Sequence, residues 1–104
     1  MDRIRQGDVY WVDFGEPAGS EPAFLRPCVV VCAISSNLKL EASPGNVLLK
    51  KGEAKLPKDS IVNITQMITV DKACLEEKIG SLSHVKLMKV LDGVDLLLRP
   101  TRLA

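Results

Sequence analysis

Arg26 stands between a Gly/Pro/Ser-rich segment and a run of apolar residues, and Pro27 follows it directly. A guanidinium held at the start of a strand can grip two oxygens of a phosphate at once, although the same residue type also makes ordinary surface ion pairs. Other chemistry-bearing residues are sparse. His84 is the only histidine and opens a helical pattern, which favours a surface position over the role of a base. The three cysteines, Cys28, Cys32 and Cys74, are odd in number and show no CxxC spacing. Cys28 and Cys32 lie inside an apolar run, where free cysteine behaves as a small hydrophobe. There is no Cys/His cluster, glycine-rich phosphate loop, GxSxG elbow or HExxH, so neither metal nor cofactor is expected.

The elements that must carry Arg26 are legible from periodicity. Residues 8–14 alternate and are rich in β-branched and aromatic types, which predicts a strand. Residues 15–22 hold the Gly/Pro/Ser content of a loop. Residues 27–34 form a continuous apolar run, the pattern of a strand buried on both faces. A turn at 43–46, a short strand at 46–50, a break at 56–59 and a β-branched strand at 60–70 follow. Asp71 is placed to cap one or two helical turns over 71–77, and residues 79–82 read as a last short strand. Ser83 then caps a helix in which Leu87, Val90, Leu91, Val94, Leu97 and Leu98 recur at three- and four-residue spacing, with Gly93 weakening it and Pro100 ending it. Short strands followed by one amphipathic helix imply a small, mostly antiparallel barrel with a helix packed on it.

The chain has 104 residues, which fits a single domain over 1–104 with a modest core that oligomerisation would support. No apolar stretch approaches the ~18 residues of a membrane span, no signal peptide is apparent, and unpaired cysteines suit reducing cytoplasm. The net charge of +1 makes no global case for nucleic acid, but charge is unevenly spread. Residues 1–21 hold five acids and two bases, whereas residues 22–58 hold six bases and two acids. A basic middle favours a polyanion locally, although scattered solvated lysines would give the same count.

The sequence resembles the MazF/PemK (Kid) family of toxin endoribonucleases. The likeness is carried by RQGDVYWVD (5–13), GSEP (19–22), RPCVVV (26–31), DSIVNITQ (59–66), TVDK (69–72) and IGSL (79–82), in family order along nearly the whole chain. The resemblance implies an SH3-like barrel, a homodimer, metal-independent cleavage of single-stranded mRNA at short motifs, and a MazE-like antitoxin whose tail occupies the RNA groove. Arg26 matches the family's catalytic arginine, with electrostatic stabilisation as its part, since a guanidinium is a poor base near neutrality. The family pairs it with a Thr or Ser, which here is Ser35 within AISSNL (33–38). Ser20 and Glu21 match a loop bordering the site, and Ser36, Asn37, Lys50, Lys51 and Gln66 are further candidates for contact with RNA. Lys55 belongs with the lysines that would track a backbone, and Trp11 and Phe14 are expected in the core rather than stacked on bases. Asn63 and Thr65 stand where the PemK branch has an arginine and an aspartate, so that acid/base arrangement does not transfer. The rival readings are a barrel toxin of the CcdB type acting on gyrase, against which RP and GSE speak, and a catalytically dead relative that binds antitoxin or RNA.

One departure is pronounced. The family has a turn and a further strand between its Arg-Pro strand and the hydroxyl residue, yet Ser35 follows Arg26 by only nine positions. One extended strand would separate the two by ~30 Å at ~3.3 Å per residue. Either the segments flanking Val31–Cys32 are joined across absent residues, or a strand has been lost. The first is expected, since losing a strand would deplete so small a core, and it predicts a spatial break between residues 30 and 34.

Overall fold

The computed structural model describes residues 3–14 and 25–99. Five strands and one helix follow in chain order: β1 (Asp8–Val12), β2 (Cys28–Ser35), β3 (Val47–Leu49), β4 (Ser60–Asp71), β5 (Leu75–Ser81) and α1 (His84–Leu98). All ladders are antiparallel, in a three-stranded sheet of order β2-β4-β3 and a two-stranded sheet β1-β5. The mostly β architecture with a C-terminal amphipathic helix is as the sequence implies.

The core lies where α1 covers β3 and β4 against β1. Leu49 is fully enclosed and Ile64 nearly so, packed in one cluster with Val9, Val47, Leu56, Val62 and Val90, and Ile61 is fully buried as well. Ser83 accepts the Lys86 N–H at 3.2 Å and starts the helix as expected. Gly93, read as a weak point, has a packing reason. A Cβ there would lie 2.3 Å from the Gly45 carbonyl oxygen, so only glycine lets the helix meet the turn before β3. Lys86 fastens the same layer by donating to the Leu48 carbonyl at 2.7 Å.

Several expectations are corrected. The helical turns expected over 71–77 amount to a single 3-10 turn, Lys72–Cys74, because residues 75–77 join β5, where Leu75 pairs with Val12 of β1. Short 3-10 turns at Leu38–Ala42 and Glu53–Lys55 were not legible as elements. Strand β2 runs unbroken from Cys28 to Ser35, so the break expected between residues 30 and 34 does not exist. The mismatch is absorbed across the ladder instead. Cys32 faces Met67 while Ala33 faces Asn63, so Ile64, Thr65 and Gln66 bulge out of β4 at that point.

The β2 run was also expected to be buried on both faces, and none of its eight residues is buried. Among the described strands β2 pairs only with β4 and β1 only with β5. Among the described residues no ladder joins β1 to β2, and a cavity of about 290 Å³ is lined by residues of both, such as Tyr10, Val29, Val31 and Cys32. No helix of the described residues is long and apolar enough to cross a membrane.

Candidate active site at the start of strand β2

Arg26 enters directly before β2, and β4 holds it in place. Cys28 faces Asp71 in the ladder, and the Lys72 N–H donates to the Pro27 carbonyl at 3.0 Å. These contacts bring the Arg26 guanidinium to Asp71, with Nη1 donating to Oδ2 at 3.4 Å. The Asp71 Oδ1 accepts the Ala73 N–H at 2.8 Å and so caps the 3-10 turn, which fixes the carboxylate plane. The side chains are 40% and 23% exposed, so both are reachable from solvent. The contact uses one guanidinium nitrogen and is longer than a tight bidentate pair, leaving other N–H groups available to an anion. The Asp13 N–H donates to the Cys74 carbonyl at 2.9 Å, and this carries the end of β1, with Phe14, to the same side of the molecule.

From Phe14 an apolar groove of about 360 Å³ runs along Trp11, Val31 and Ile68 towards Ser36 and Lys58. Trp11 and Phe14 are 59% and 63% exposed, so the expectation that they pack in the core is corrected.

The remaining candidates are dispersed. Ser35 ends β2, so it and Arg26 lie ~30 Å apart at ~3.3 Å per residue and cannot contact one phosphate within a subunit. The unbroken strand sets the two residues at its opposite ends. The Ser35 Oγ accepts the Asn37 N–H at 3.0 Å, and the Asn37 Oδ1 accepts the Lys39 N–H at 3.2 Å, so both shape the turn leaving β2. Ser36 lines the groove. Lys50 and Lys51 sit beyond β3, where Lys50 lies 3.9 Å from Asp59 and the Lys51 N–H donates to Asp59 at 2.7 Å. Neither lines the groove; the lysine that does is Lys58, which sequence reasoning passed over. Gln66 belongs to the bulge: its Oε1 accepts from Asn63 Nδ2 at 3.1 Å, and Asn63 Oδ1 accepts from Thr65 at 3.0 Å. Lys55 is exposed and adopts positive φ of 60°. His84 is exposed at the helix start. Ser20 and Glu21 lie outside the described residues. The residue missed near Arg26 is Asp71, whose signal was the TVDK motif combined with the antiparallel register of β2 and β4.

The described residues thus form a small, largely β protein with a solvent-accessible arginine–carboxylate pair and a separate apolar groove that holds exposed aromatic side chains. Residues 5–98 match the model of the family described as PemK-like, MazF-like toxin of type II toxin-antitoxin system, and the chain belongs to that family. Endoribonuclease MazF6 of Mycobacterium tuberculosis is 36% identical over 94 residues, covering 76% of this chain and 82% of the relative. Endoribonuclease MazF of Staphylococcus epidermidis is 34% identical over 107 residues, covering 89% of each chain. Among solved structures, a mycobacterial endoribonuclease in complex with its cognate antitoxin superposes with a TM-score of 0.67 at 18% identity, over 94% of this chain and 95% of the other. The 94 aligned positions of the mycobacterial relative take in only 76% of these 104 residues, so about fifteen of them have no counterpart here.

Proposed function

We propose that this chain is the toxin of a type II toxin–antitoxin system and a metal-independent endoribonuclease that cuts single-stranded mRNA at short motifs. The observation that carries the reading is Arg26, in its family motif, held beside Asp71 at the β2–β4 ladder end. RNA stacks on Trp11 and Phe14 while its phosphate is taken by the free guanidinium N–H groups. The 2′-hydroxyl attacks the adjacent phosphorus, the bond to the 5′-oxygen breaks, and a 2′,3′-cyclic phosphate and a 5′-hydroxyl result. Arg26 stabilises the charge that builds on the non-bridging oxygens, where a well-placed donor contributes on the order of 10²–10³ in rate. Ser36 and Lys58 meet the strand farther along the groove.

The protein acts in the cytoplasm, where its substrate is, as a single toxin domain in a homodimer, and a MazE-like antitoxin restrains it. A second reading, a relative that binds RNA or antitoxin without cutting, is favoured by the separation of Arg26 from Ser35. Incubating the purified chain with a long transcript in EDTA decides between them. Discrete cuts that vanish with Arg26→Ala support the nuclease, and intact RNA overturns it. Primer extension on a defined transcript then gives the motif and the termini.

A further inference from the structure

We propose that Asp71 is the general base of this ribonuclease, an assignment that rests on the reading of the chain as an RNA-cleaving enzyme. Cleavage by the 2′-hydroxyl needs a proton acceptor beside the group that clamps the phosphate, and a guanidinium cannot fill that role. The groups that sequence reasoning would offer are elsewhere. Ser35 is at the far end of β2 with its oxygen engaged by Asn37. Asn63 and Thr65 are uncharged and tied to each other and to Gln66 in the β4 bulge. His84 is exposed at the start of α1, on a different element.

Among the described residues, Asp71 is the carboxylate in contact with Arg26. Its placement is set by three independent constraints: the ladder position opposite Cys28, the Pro27–Lys72 backbone bond, and the capping bond to Ala73. One oxygen is spent on the cap, which leaves Oδ2 directed at the guanidinium and partly open to solvent. A phosphate seated on Arg26 therefore brings its ribose to the edge of this carboxylate. The step balances without a further reactant. The proton of the 2′-hydroxyl passes to Asp71 Oδ2 as the O2′–P bond forms. The P–O5′ bond breaks with its electron pair on the leaving oxygen, which takes a proton from water, and the hydroxide so formed is neutralised by the proton that Asp71 has gained. Arg26 stays on the non-bridging oxygens throughout. Among the described residues, the charged and titratable groups nearest the carboxylate in the fold are Arg26 and Cys28 from the β2 side and Lys72 and Cys74 from the turn after β4, with Asp13 of the segment after β1 bonded through its backbone to Cys74.

The test uses the full chain and a fluorescent single-stranded RNA spanning one mapped cut, with a copy carrying a 2′-deoxy nucleotide at that cut to measure binding. Asp71→Asn keeps an acceptor for the Ala73 N–H, so the fold and thermal midpoint stay close to wild type. We expect kcat to fall on the order of 10²–10⁴-fold, affinity for the deoxy-substituted RNA to hold or rise, and the tenfold-per-unit loss of kcat/KM in acid to disappear. Asp71→Glu restores part of the rate together with that acid limb. Cleavage by Asp71→Asn within threefold of wild type overturns the assignment. So does a slow variant that keeps the wild-type pH profile, which would make Asp71 a positioning residue for Arg26. A wild-type chain that cuts no RNA under any condition overturns the nuclease reading and the base with it.

Discussion

Arg26 and Ser35 bracket the same unbroken strand, one immediately before β2 and the other at its last position. That strand separates by its whole length two residues that the family motif would bring together. The expected consequence is a sharp asymmetry between two substitutions. Arg26→Ala should lower cleavage on the order of 10²–10³-fold, while Ser35→Ala should leave kcat within a few-fold and act on the turn that follows. Single-turnover rates on one RNA substrate measure both.

Trp11 and Phe14 test whether the groove carries bases. Both are mostly exposed, so alanine at either position should change stability by no more than ~0.5 kcal/mol. A lost stacking platform costs about 1–3 kcal/mol per base, which predicts a KM raised roughly tenfold with kcat little changed. Equal KM values in the variants and wild type would remove the groove from the RNA path.

Gly93 opposes helix propensity to packing. Alanine would gain about 1 kcal/mol of intrinsic helix stability, but its Cβ would meet the Gly45 carbonyl oxygen at 2.3 Å. Backbone cannot step aside as a flexible side chain can, so Gly93→Ala should destabilise by roughly 1–3 kcal/mol net. Urea unfolding of the two proteins reads the sign directly.

Asp8 links stability to pH. Burial pushes its carboxyl up, but the Arg5 N–H at 2.9 Å, the Ser81 hydroxyl at 2.8 Å and the Lys78 ammonium at 3.3 Å together hold it below the usual aspartate value of 3.8. A carboxyl lowered in the folded state contributes stability that is complete above its unfolded value and is lost as pH falls through the folded one. Asp8→Asn should therefore cost about 1–3 kcal/mol at neutral pH, and the gap to wild type should narrow below about pH 4. Denaturant midpoints taken at neutral pH and in acid check both parts.

In the core, Leu49 has no exposed surface and sits on the short strand β3 beneath the helix. Leu49→Ala should cost about 2–5 kcal/mol, since the surrounding layer can collapse only partly into the space. Thermal unfolding followed by circular dichroism gives the value.

The order and type of the main elements were legible in the chain because they rest on local chemistry. Alternating β-branched and aromatic residues marked β1, the Ser60–Asp71 run marked β4, and Ser83 with its three- and four-residue apolar spacing marked α1. The family was legible too, since its motifs are short local strings in a fixed order. What the chain could not display were relations across the ladder. An apolar run such as Cys28–Ser35 reads as a doubly covered strand, yet its burial depends on whether a neighbour exists on the open side, and here none of the described strands supplies one. The exposure of Trp11 and Phe14 and the placing of Arg26 and Ser35 at opposite ends of one strand were likewise settled only by the fold. The partner that Arg26 does acquire, Asp71, lies 45 positions away in sequence and becomes its neighbour only through the antiparallel register of β2 and β4. Residue type determined that an arginine would be available to a phosphate; register, a property of paired strands rather than of either one, decided which carboxylate stands beside it.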